Sequence, residues 1–355
     1  MQVKAVKRLS RSALSILVGI ALGIICIGLI GSGLLALAGG RALGLLPTPA
    51  ATSPVLFGPT TVAMGEAPIP GPTVTPFQAA ADCSRQDRIN ILILGIDGRE
   101  SNYDEAARTD TLMVAGINYG DRTASLLSFP RDLYVALPGL EPYAITEGRI
   151  NTAYVYGEAF DLPGGGPGLV QDTVTVNFGI RLHRHVVLSF QAFVDTVNAL
   201  GGIDLDVPEA IYDDEFPADV GDGTILFELP AGQQHLDGIT ALRYARTRHQ
   251  DNDFNRIKRQ QQVLLAIRDK ALGPDLLPRL PALVEALYGS VRTDLSLTEM
   301  ASLLCIGQKI GREAIRTYAL DSNYVRAWVT EEGAQVIIPD REAIAPIVEE
   351  FNGGS

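Results

Sequence analysis

The sequence has few of the residues that build metal and redox centres. It contains three cysteines and four histidines in 355 residues. Cys26 lies in an apolar run, and Cys83 and Cys305 lie far apart, so none has the paired spacing of a zinc site or a redox motif. The histidines also lack metal-ligand spacing. A disulfide between Cys83 and Cys305 stays open, because it depends on an oxidising compartment.

Basic residues are also fewer than acidic residues. The chain has 29 Lys and Arg against 41 Asp and Glu, which gives a formal net charge of -12. General nucleic-acid binding needs a basic surface, so this class of function is excluded. The chain has no P-loop and no Gly-x-Ser-x-Gly elbow. The acidic stretch 208–223 resembles no calcium-binding loop and is predicted to be a solvated loop.

The N-terminus carries the strongest pattern. An uncharged apolar run at 12–40 follows a basic tail at 1–11, and the next charge is Arg41. The run exceeds the ~20 residues that span a bilayer and the 7–15 residues typical of a signal-peptide core. The positive-inside rule predicts a cytoplasmic N-terminus and an extracytoplasmic remainder. The alternative is a cleaved signal peptide with a site at "ALAGG".

The rest of the chain divides into a linker and a folded domain. Residues 42–88 are rich in Pro, Thr and Ala, which favours an extended linker. From 89 to 355, apolar runs alternate with amphipathic stretches. The predicted fold class is α/β: a layered α-β-α domain with a mostly mixed central sheet, preceded by one transmembrane helix. Glycine-rich 157–168 is interpreted as a flexible loop.

The predicted elements follow from these periodicities. Strands are predicted at 89–96, 111–119, 123–129, 183–190, 203–208, 315–321 and 333–339. Helices are predicted at 167–179, 191–202, 238–246, 253–272, 297–311 and 341–351.

Positive charge is concentrated at 241–262 of this acidic chain. Arg246 and Arg248 share one side if that piece is extended. Arg256, Lys258 and Arg259 are predicted in a first helical turn, where each opposes the macrodipole by about 0.3–1 kcal/mol. A bound anion would reverse that effect. The alternative is a solvated basic face. The residues at helical spacing on one face are Arg256, Arg259, Gln260, Val263 and Ile267.

Two carboxylates, Asp97 and Asp110, lie near the ends of predicted strands. Asp97 ends the first predicted strand, and Asp110 comes thirteen residues later. Ligands usually sit at the carboxyl ends of strands, and paired carboxylates suit Mg²⁺ that also binds substrate phosphates. The alternative is that Asp97 caps a turn. Arg131 lies just past another strand end, where an internal ion pair with Asp132 is the alternative to a binding role.

Six ordered motifs together resemble the LytR-CpsA-Psr family of cell-wall glycopolymer ligases, most strongly over 89–272. They are "ILILGIDGR", "RTDTLM", "SFPRDLYV", "RINTAYVYG", "ALRYARTRH" and "DFNRIKRQQQ". The resemblance implies a membrane-anchored enzyme outside the cytoplasmic membrane. Such enzymes move a glycopolymer from a polyprenyl-pyrophosphate carrier onto peptidoglycan through a phosphodiester.

The resemblance also implies roles for individual residues. Asp97 and Asp110 match aspartates associated with Mg²⁺, for which Mn²⁺ could substitute. The residues that match or adjoin the pyrophosphate-binding set are Arg108, Arg131, Arg246, Arg248, Arg256, Arg259 and Gln260. Those expected to act in catalysis are Asp110, Arg131, Arg246 and Arg256. The chain departs from the family pattern at Asn255, where Gly is usual, and at Arg149, where Lys is usual.

A prenyl chain needs an apolar slot. Val263, Leu264 and Ile267 are expected to line one, and ordinary core packing is the alternative. Two other functions remain open on the sequence: a phosphohydrolase that uses water as acceptor at the same site, and a non-enzymatic module that binds lipid-linked precursors. The first differs from the transferase only in its acceptor, and the second predicts binding without turnover.

Overall fold

The computed structural model describes residues 82–96, 108–219, 223–248, 253–276, 280 and 291–353. The predicted membrane segment at 12–40, most of the predicted linker and Asp97 therefore lie outside the described residues. Within those described ranges, no helix combines the length and the apolar character needed to cross a membrane.

A mixed six-stranded sheet forms the centre of the domain. The strands, in chain order, are β1 (Arg88–Ile96), β2 (Thr109–Asn118), β3 (Thr123–Ser128), β4 (Tyr134–Ala136), β5 (Glu147–Arg149), β6 (Arg184–Ser189), β7 (Ile203–Val207), β8 (Ile211–Pro217), β9 (Thr224–Leu229), β10 (Gly232–Leu236), β11 (Arg292–Thr293), β12 (Ile315–Ala319), β13 (Val325–Val329) and β14 (Gln335–Pro339). The central sheet has the order β11-β6-β1-β2-β3-β12. Strand β1 pairs parallel with β6 and antiparallel with β2, and β12 pairs parallel with β3.

Helices cover both faces of this sheet. They are α1 (Thr152–Ala159), α2 (Gly165–Phe178), α3 (Phe190–Ala199), α4 (Gly238–Arg246), α5 (Asp253–Ala271), α6 (Leu297–Gly307) and α7 (Arg341–Phe351). Because side chains alternate along a strand, Ile91 and Ile93 pack in one core with α3 to α6. Leu92 and Leu94 pack in a second core with α1, α2 and α7. The predicted layered α-β-α domain with a mixed sheet is confirmed.

Local signals in the sequence explain several element boundaries. Ser189 ends β6, and its side chain accepts a hydrogen bond from the Ala192 N–H, so the same residue begins α3. The Asp237 side chain caps α4 in the same way. Helix α2 ends at Gly179, whose φ of 67° favours glycine. These caps place the beginning of α3 directly at one edge of the sheet.

Two predicted loops are partly wrong. The acidic stretch at 208–223 contains β8, which pairs with β9 in a hairpin interrupted between Asp213 and Phe216. Phe216 and Phe227 are buried and lie 5.5 Å apart between ring centroids. Their burial stabilises the hairpin despite its acidic residues, of which Asp214 and Glu215 are exposed and Asp213 is buried and accepts a hydrogen bond from the Thr247 hydroxyl. The glycine-rich stretch at 157–168 is also not a loop throughout, because α2 begins within it.

A disulfide joins the chain before β1 to α6. Cys83 and Cys305 are bonded, with 5.7 Å between their Cα atoms and a sequence separation of 222. Beside this bond, the Asp82 backbone N–H donates to the Ser302 hydroxyl at 2.8 Å. The pairing that the sequence left open is therefore present, and it attaches the chain to the domain a few residues before the first strand.

Candidate functional site

One edge of the sheet gathers the candidate site. Ile96, at the carboxyl end of β1, lies opposite Thr109 of β2 and Ser189 of β6. The end of β3 reaches the same edge, since Ser128 lies opposite Met113. This topology brings together the carboxyl ends of three strands and the amino end of β2. It thereby places Asp110 and Arg131 side by side.

An apolar cavity of about 360 Å³ opens beside this edge. It lies between the sheet and helices α3, α4 and α5, with the β8–β9 hairpin at one side. Its apolar wall includes Ile93, Met113, Leu188, Phe190, Phe193, Phe216, Leu242, Val263, Leu264 and Ile267. Its polar wall includes Asp110, Thr111, Ser189, Asp213, Glu215, Arg246, Thr247, Arg248, Arg256 and Gln260. The cavity therefore combines an apolar interior with a charged rim.

Glycine is required at one point of this wall. A Cβ on Gly95 would lie 3.0 Å from the Cβ of Thr111 on the neighbouring strand. The pairing of β1 and β2 shifts register between Gly95 and Ile96. The missing side chain therefore lets the two strands stay close where they reach the site.

Arg131 and Asp110 form the first half of the charged cluster. Arg131 Nη1 donates to Asp110 Oδ1 at 2.6 Å, and both side chains are mostly buried. Burial lowers the pKa of Arg131, but the hydrogen bond that it donates to Asp110 and the charges of Asp110, Asp132 and Asp253 raise it more. Arg131 therefore stays charged next to the cavity, and its Nε has no hydrogen-bond partner among the described residues.

Arg256 forms the second half of the cluster. It is only 3% exposed, and its Nη2 lies 2.8 Å from Asp253 Oδ1. Burial lowers the pKa of its guanidinium; the charge of Asp253 opposes this effect, and the charges of Arg131 and Arg248 add to it. Arg256 Nε also lacks a hydrogen-bond partner within the described ranges. The buried guanidinium of Arg256 and the mostly buried guanidinium of Arg131 thus lie close enough for their positive charges to repel, an arrangement that an anion would stabilise.

Asp253 was not among the predicted site residues. It begins α5, three residues before Arg256, and it also lies 3.7 Å from Arg248. The (i, i+3) spacing of Asp253 and Arg256 was a usable signal, because such residues meet on a helix surface. Only Arg256 of the three predicted cations lies in the first turn, because the helix begins at Asp253. Lys258 and Arg259 lie in the second turn.

Arg246 and Arg248 both line the cavity, although Arg246 lies in a helix and not in the extended piece assumed for their spacing. Arg246 is the last residue of α4, and its guanidinium carbon lies 4.2 Å from the centroid of the Phe190 ring. A cation over an aromatic face is favourable, and the position at a helix C-terminus adds to this. Arg248 follows in extended chain and is 44% exposed. Arg246 is therefore held in place, whereas Arg248 lies at the outer rim.

Two other predicted residues are not brought to the cavity. Arg259 is 7% exposed, does not line the cavity, and donates to the Thr247 carbonyl on the outer side of α5. Arg108 precedes β2 and is exposed. Gln260 does line the cavity and donates to the Ala245 carbonyl at 3.5 Å. Arg259 thus hydrogen-bonds the backbone of a cavity-lining residue, Thr247, and does not face the charged rim.

The predicted apolar face of α5 is confirmed as part of a cavity wall. Val263 is 2% exposed and Ile267 is fully buried, and both line the cavity with Leu264. The same residues belong to the core between the sheet and α3 to α6. The core packing that the sequence left open is therefore present, and the prenyl slot stays a prediction.

Oxygen donors for a hard cation are present around Asp110. The Thr109 hydroxyl and the Asn151 amide oxygen are buried without a hydrogen-bond partner within the described part of the chain. They lie on adjoining backbone, since the Thr109 N–H donates to the Asn151 carbonyl. No group of three or more His, Cys, Asp or Glu side chains with metal-site geometry occurs among the described residues. The oxygen-rich surroundings of Asp110 nevertheless fit the ligand preference of Mg²⁺.

The fold and site define a class of protein: a layered α/β domain whose sheet edge joins an apolar cavity to an arginine–aspartate cluster. The LytR_cpsA_psr family model matches residues 63–352. The chain therefore belongs to the LytR_cpsA_psr family, and the resemblance that the motifs indicated is confirmed.

Named relatives agree with this assignment. The polyisoprenyl-teichoic acid–peptidoglycan teichoic acid transferase TagT of Bacillus subtilis is 33% identical over 220 residues, which cover 61% of this chain and 63% of the relative. The corresponding TagU of Oceanobacillus iheyensis is 30% identical over 221 residues. That match covers 62% of each protein. The chain thus spans less than two thirds of the length of these two relatives.

Solved structures show the same fold. The crystal structure of Bacillus subtilis TagV is 26% identical, with a TM-score of 0.61, and the match covers 76% of this chain and 99% of that one. The structure described as TagT bound to LIIa-WTA has a TM-score of 0.58 at 24% identity, over 76% of this chain and 91% of the other.

Proposed function

We propose that this chain is a membrane-anchored phosphotransferase that moves a glycopolymer from a polyprenyl-pyrophosphate carrier onto peptidoglycan through a phosphodiester bond. One observation carries the proposal: the wall of an apolar cavity includes the buried Arg256, whose Nε has no hydrogen-bond partner among the described residues, and Asp110, which accepts a hydrogen bond from Arg131. A lipid pyrophosphate has an apolar chain attached to a compact anion, so its chain matches the cavity and its anion matches the arginines. The names of the family relatives support the same reaction class.

In this proposal the cavity takes the part of the prenyl chain next to the pyrophosphate. Each buried CH₂ contributes about 0.8 kcal/mol, so even a partly inserted chain is held firmly. The pyrophosphate lies at the rim, where Arg256 and Arg131 donate to its oxygens and Arg246 adds positive charge. Arginine suits this role because its planar fork makes two parallel hydrogen bonds to one phosphate.

Transfer then needs no protein nucleophile. A hydroxyl oxygen of the acceptor glycan forms a bond to the phosphorus that carries the glycopolymer. The bond from that phosphorus to the bridging oxygen breaks, and prenyl monophosphate leaves with the proton of the hydroxyl. Charge shifts onto the leaving phosphate during this step, and the buried arginines stabilise it without reorganising.

Mg²⁺, with Mn²⁺ as the substitute, is proposed as the cofactor. Asp97 and Asp110 would hold it, with the buried oxygens of Thr109 and Asn151 nearby, and it would neutralise charge on the pyrophosphate. Asp110→Ala should weaken Mg²⁺ binding, measured by calorimetric titration with a pyrophosphate analogue present, and should leave the thermal unfolding temperature nearly unchanged. Asp121→Ala, in the turn that follows the opposite end of β2, is the matched control. Unchanged Mg²⁺ affinity in Asp110→Ala would make Asp110 only a partner of Arg131.

The proposed location is the outer side of the cytoplasmic membrane. The basic tail and the apolar run at 12–40 support a single anchor with a cytoplasmic N-terminus. The Cys83–Cys305 disulfide supports an oxidising compartment for the domain. Reporter fusions placed after Arg41 test the topology: activity of a periplasmic or extracellular reporter is expected, and activity of a cytoplasmic reporter would contradict it.

The transferase itself is tested by reconstitution. The full-length protein in detergent is incubated with a synthetic lipid-linked saccharide, Mg²⁺ and peptidoglycan fragments, and products are identified by mass spectrometry. A saccharide linked to the fragment through a phosphodiester is expected. Saccharide phosphate released into water at the same rate with and without the fragment would instead identify a phosphohydrolase. Donor binding without any turnover would identify a binding module.

A further inference from the structure

A pair of partly exposed aromatic rings lies close to the site, on the side away from the cavity. Trp328 of β13 is 42% exposed and is the only tryptophan of the chain. Its ring centroid lies 5.6 Å from that of Tyr134 on β4, in an edge-to-face arrangement. An edge-to-face pair leaves a ring face open, and a large exposed aromatic surface often marks an interaction site. We name this pair the aromatic platform.

Backbone and side-chain contacts tie the aromatic platform to the charged cluster. The Ile337 N–H of β14 donates to the Asp132 carbonyl at 3.3 Å, and the Arg149 guanidinium donates to the Gln335 carbonyl at 2.9 Å. Asp132 lies 3.5 Å from both Arg149 and Arg131. The hairpin that carries Trp328 is therefore held beside Arg131 by a short series of polar contacts.

The residues around the aromatic platform are polar rather than apolar. Arg149 lies opposite Tyr134 across the β4–β5 pair, so both side chains share one face. Partial burial raises the pKa of the Tyr134 hydroxyl, and the charges of Glu147 and Glu332 raise it further. Glu147 lies two residues before Arg149 on β5, so its side chain shares the face of Arg149 and Tyr134. A ring face bordered by guanidinium and carboxylate groups suits a sugar, which offers an apolar C–H face and a rim of hydroxyls.

The position of the platform decides which sugar it suits. The cavity lies among α3, α4 and α5 on one face of the sheet, whereas β4, β13 and β14 pack with the core on the other face. In the transfer reaction the attacking and leaving oxygens are roughly in line through phosphorus. The leaving prenyl phosphate occupies the cavity side, so the acceptor hydroxyl approaches from the opposite side, where the platform lies.

We propose that Trp328 and Tyr134 form the acceptor subsite, where one sugar ring of the peptidoglycan glycan strand stacks beside the reacting hydroxyl. This inference rests on the proposed transferase function and adds the position of the acceptor to it. Arg149 and Glu147 donate to and accept from the sugar hydroxyls. The platform acts by positioning the acceptor and takes no part in bond making.

The sole tryptophan provides a direct readout. Full-length protein in detergent is titrated with a soluble tetrasaccharide of alternating N-acetylglucosamine and N-acetylmuramic acid, and tryptophan emission is followed. A saturable change in emission is expected, and Tyr134→Ala should raise the half-saturation concentration about fivefold to tenfold. A change only with the saccharide of the lipid donor, or no change with either, would overturn the proposal.

Kinetics supply the second measurement. Trp328→Ala should raise KM for the acceptor about tenfold and leave kcat and the donor KM unchanged, and Trp328→Phe should restore most of the loss because it keeps a ring. Val329→Ala is the matched control, since Val329 is adjacent in sequence and 57% exposed. Equal effects of Trp328→Ala and Val329→Ala would overturn the subsite. Because the emission titration needs no turnover, glycan binding without linked product would contradict the transferase and leave the subsite standing.

Discussion

The two faces of the central sheet are packed differently, although the same strands supply both. On one face, α1, α2 and α7 close over Leu92 and Leu94, and these side chains are fully buried. On the other face, α3, α4 and α5 leave a cavity of about 360 Å³ against Ile93 and Met113. Protein interiors are normally close-packed, so an apolar gap of this size has a cost that folding alone does not explain. The comparison indicates that one face serves stability and the other serves a ligand.

The largest expected effect separates two buried arginines of one helix. Arg256→Ala should lower the transfer rate roughly 10²–10³-fold, or about 2–4 kcal/mol, as does removal of one preorganised donor. The free energy of unfolding should change little, because Asp253 is partly exposed and can be solvated. Steady-state transfer and thermal unfolding are measured on the same preparation. Arg256→Lys should recover only part of the activity, since lysine lacks the bidentate fork.

Arg268 is the matched control for this prediction. It is 1% exposed on α5, donates to the Ile310 carbonyl at 3.3 Å and pairs with Asp269, away from the cavity. Arg268→Ala should cost about 1–3 kcal/mol of stability, because it leaves the Ile310 carbonyl without this donor. If Arg256→Ala destabilises the fold as much as Arg268→Ala, Arg256 is a structural residue.

Replacement of a buried valine by phenylalanine should have different consequences on the two faces of the central sheet. Val263→Phe fills part of the cavity, so it should change stability by less than about 1.5 kcal/mol while lowering the affinity for a prenyl pyrophosphate at least tenfold. Val174→Phe in α2, on the filled face, should cost about 1–3 kcal/mol and leave lipid affinity unchanged. Chemical denaturation and calorimetric titration measure the two quantities. Similar loss of stability in both variants would mean that the cavity does not accept a side chain.

A smaller effect is expected at Arg259, which lies behind the cavity wall. Arg259→Ala removes a buried donor to the Thr247 carbonyl and should lower stability by about 1–3 kcal/mol. The transfer rate at a temperature where the variant is fully folded should fall less than tenfold. A loss as large as that of Arg256→Ala would return Arg259 to the pyrophosphate-binding set.

The smallest effect is expected at Arg243. Its guanidinium pairs with Asp219 and does not line the cavity. Arg243→Ala should cost at most about 1 kcal/mol of stability and change transfer less than about threefold. Arg246→Ala, three residues later and on the cavity, should be far more damaging. Equal rate losses in these two variants would show that the segment acts as a diffuse basic face.

Sequence periodicity predicted most of the central sheet and helices, because burial on one or both faces leaves a regular pattern. It failed at β8, where solvent-facing acidic residues outnumber the buried Phe216 and resemble a loop. It also failed at β13, which is mostly exposed and has no apolar alternation to detect. Such peripheral hairpins are stabilised by contacts that are distant in sequence, and a local pattern does not contain them.

The sequence predicted which residue types form the site better than it predicted which way their side chains point. Helical spacing grouped Arg259 with Arg256 and Gln260, but Arg259 immediately precedes Gln260 and is rotated about 100° from it around the axis. That rotation carries Arg259 to the outer side of α5. Phe190, which packs against Arg246, comes to the site through tertiary packing, whereas Asp253 meets Arg256 on the same helix. The motifs therefore identified the charged groups, and the fold decided which of them face the cavity.

The central claim is that one ligand occupies both the cavity and the charged rim. Its most direct test is a calorimetric titration of the full-length protein with farnesyl pyrophosphate and, separately, with inorganic pyrophosphate. The prenyl compound should bind at least ~100-fold more tightly, because its buried CH₂ groups contribute about 0.8 kcal/mol each, and Arg131→Ala should weaken the binding of both compounds. Equal affinities for the two compounds would contradict the central claim.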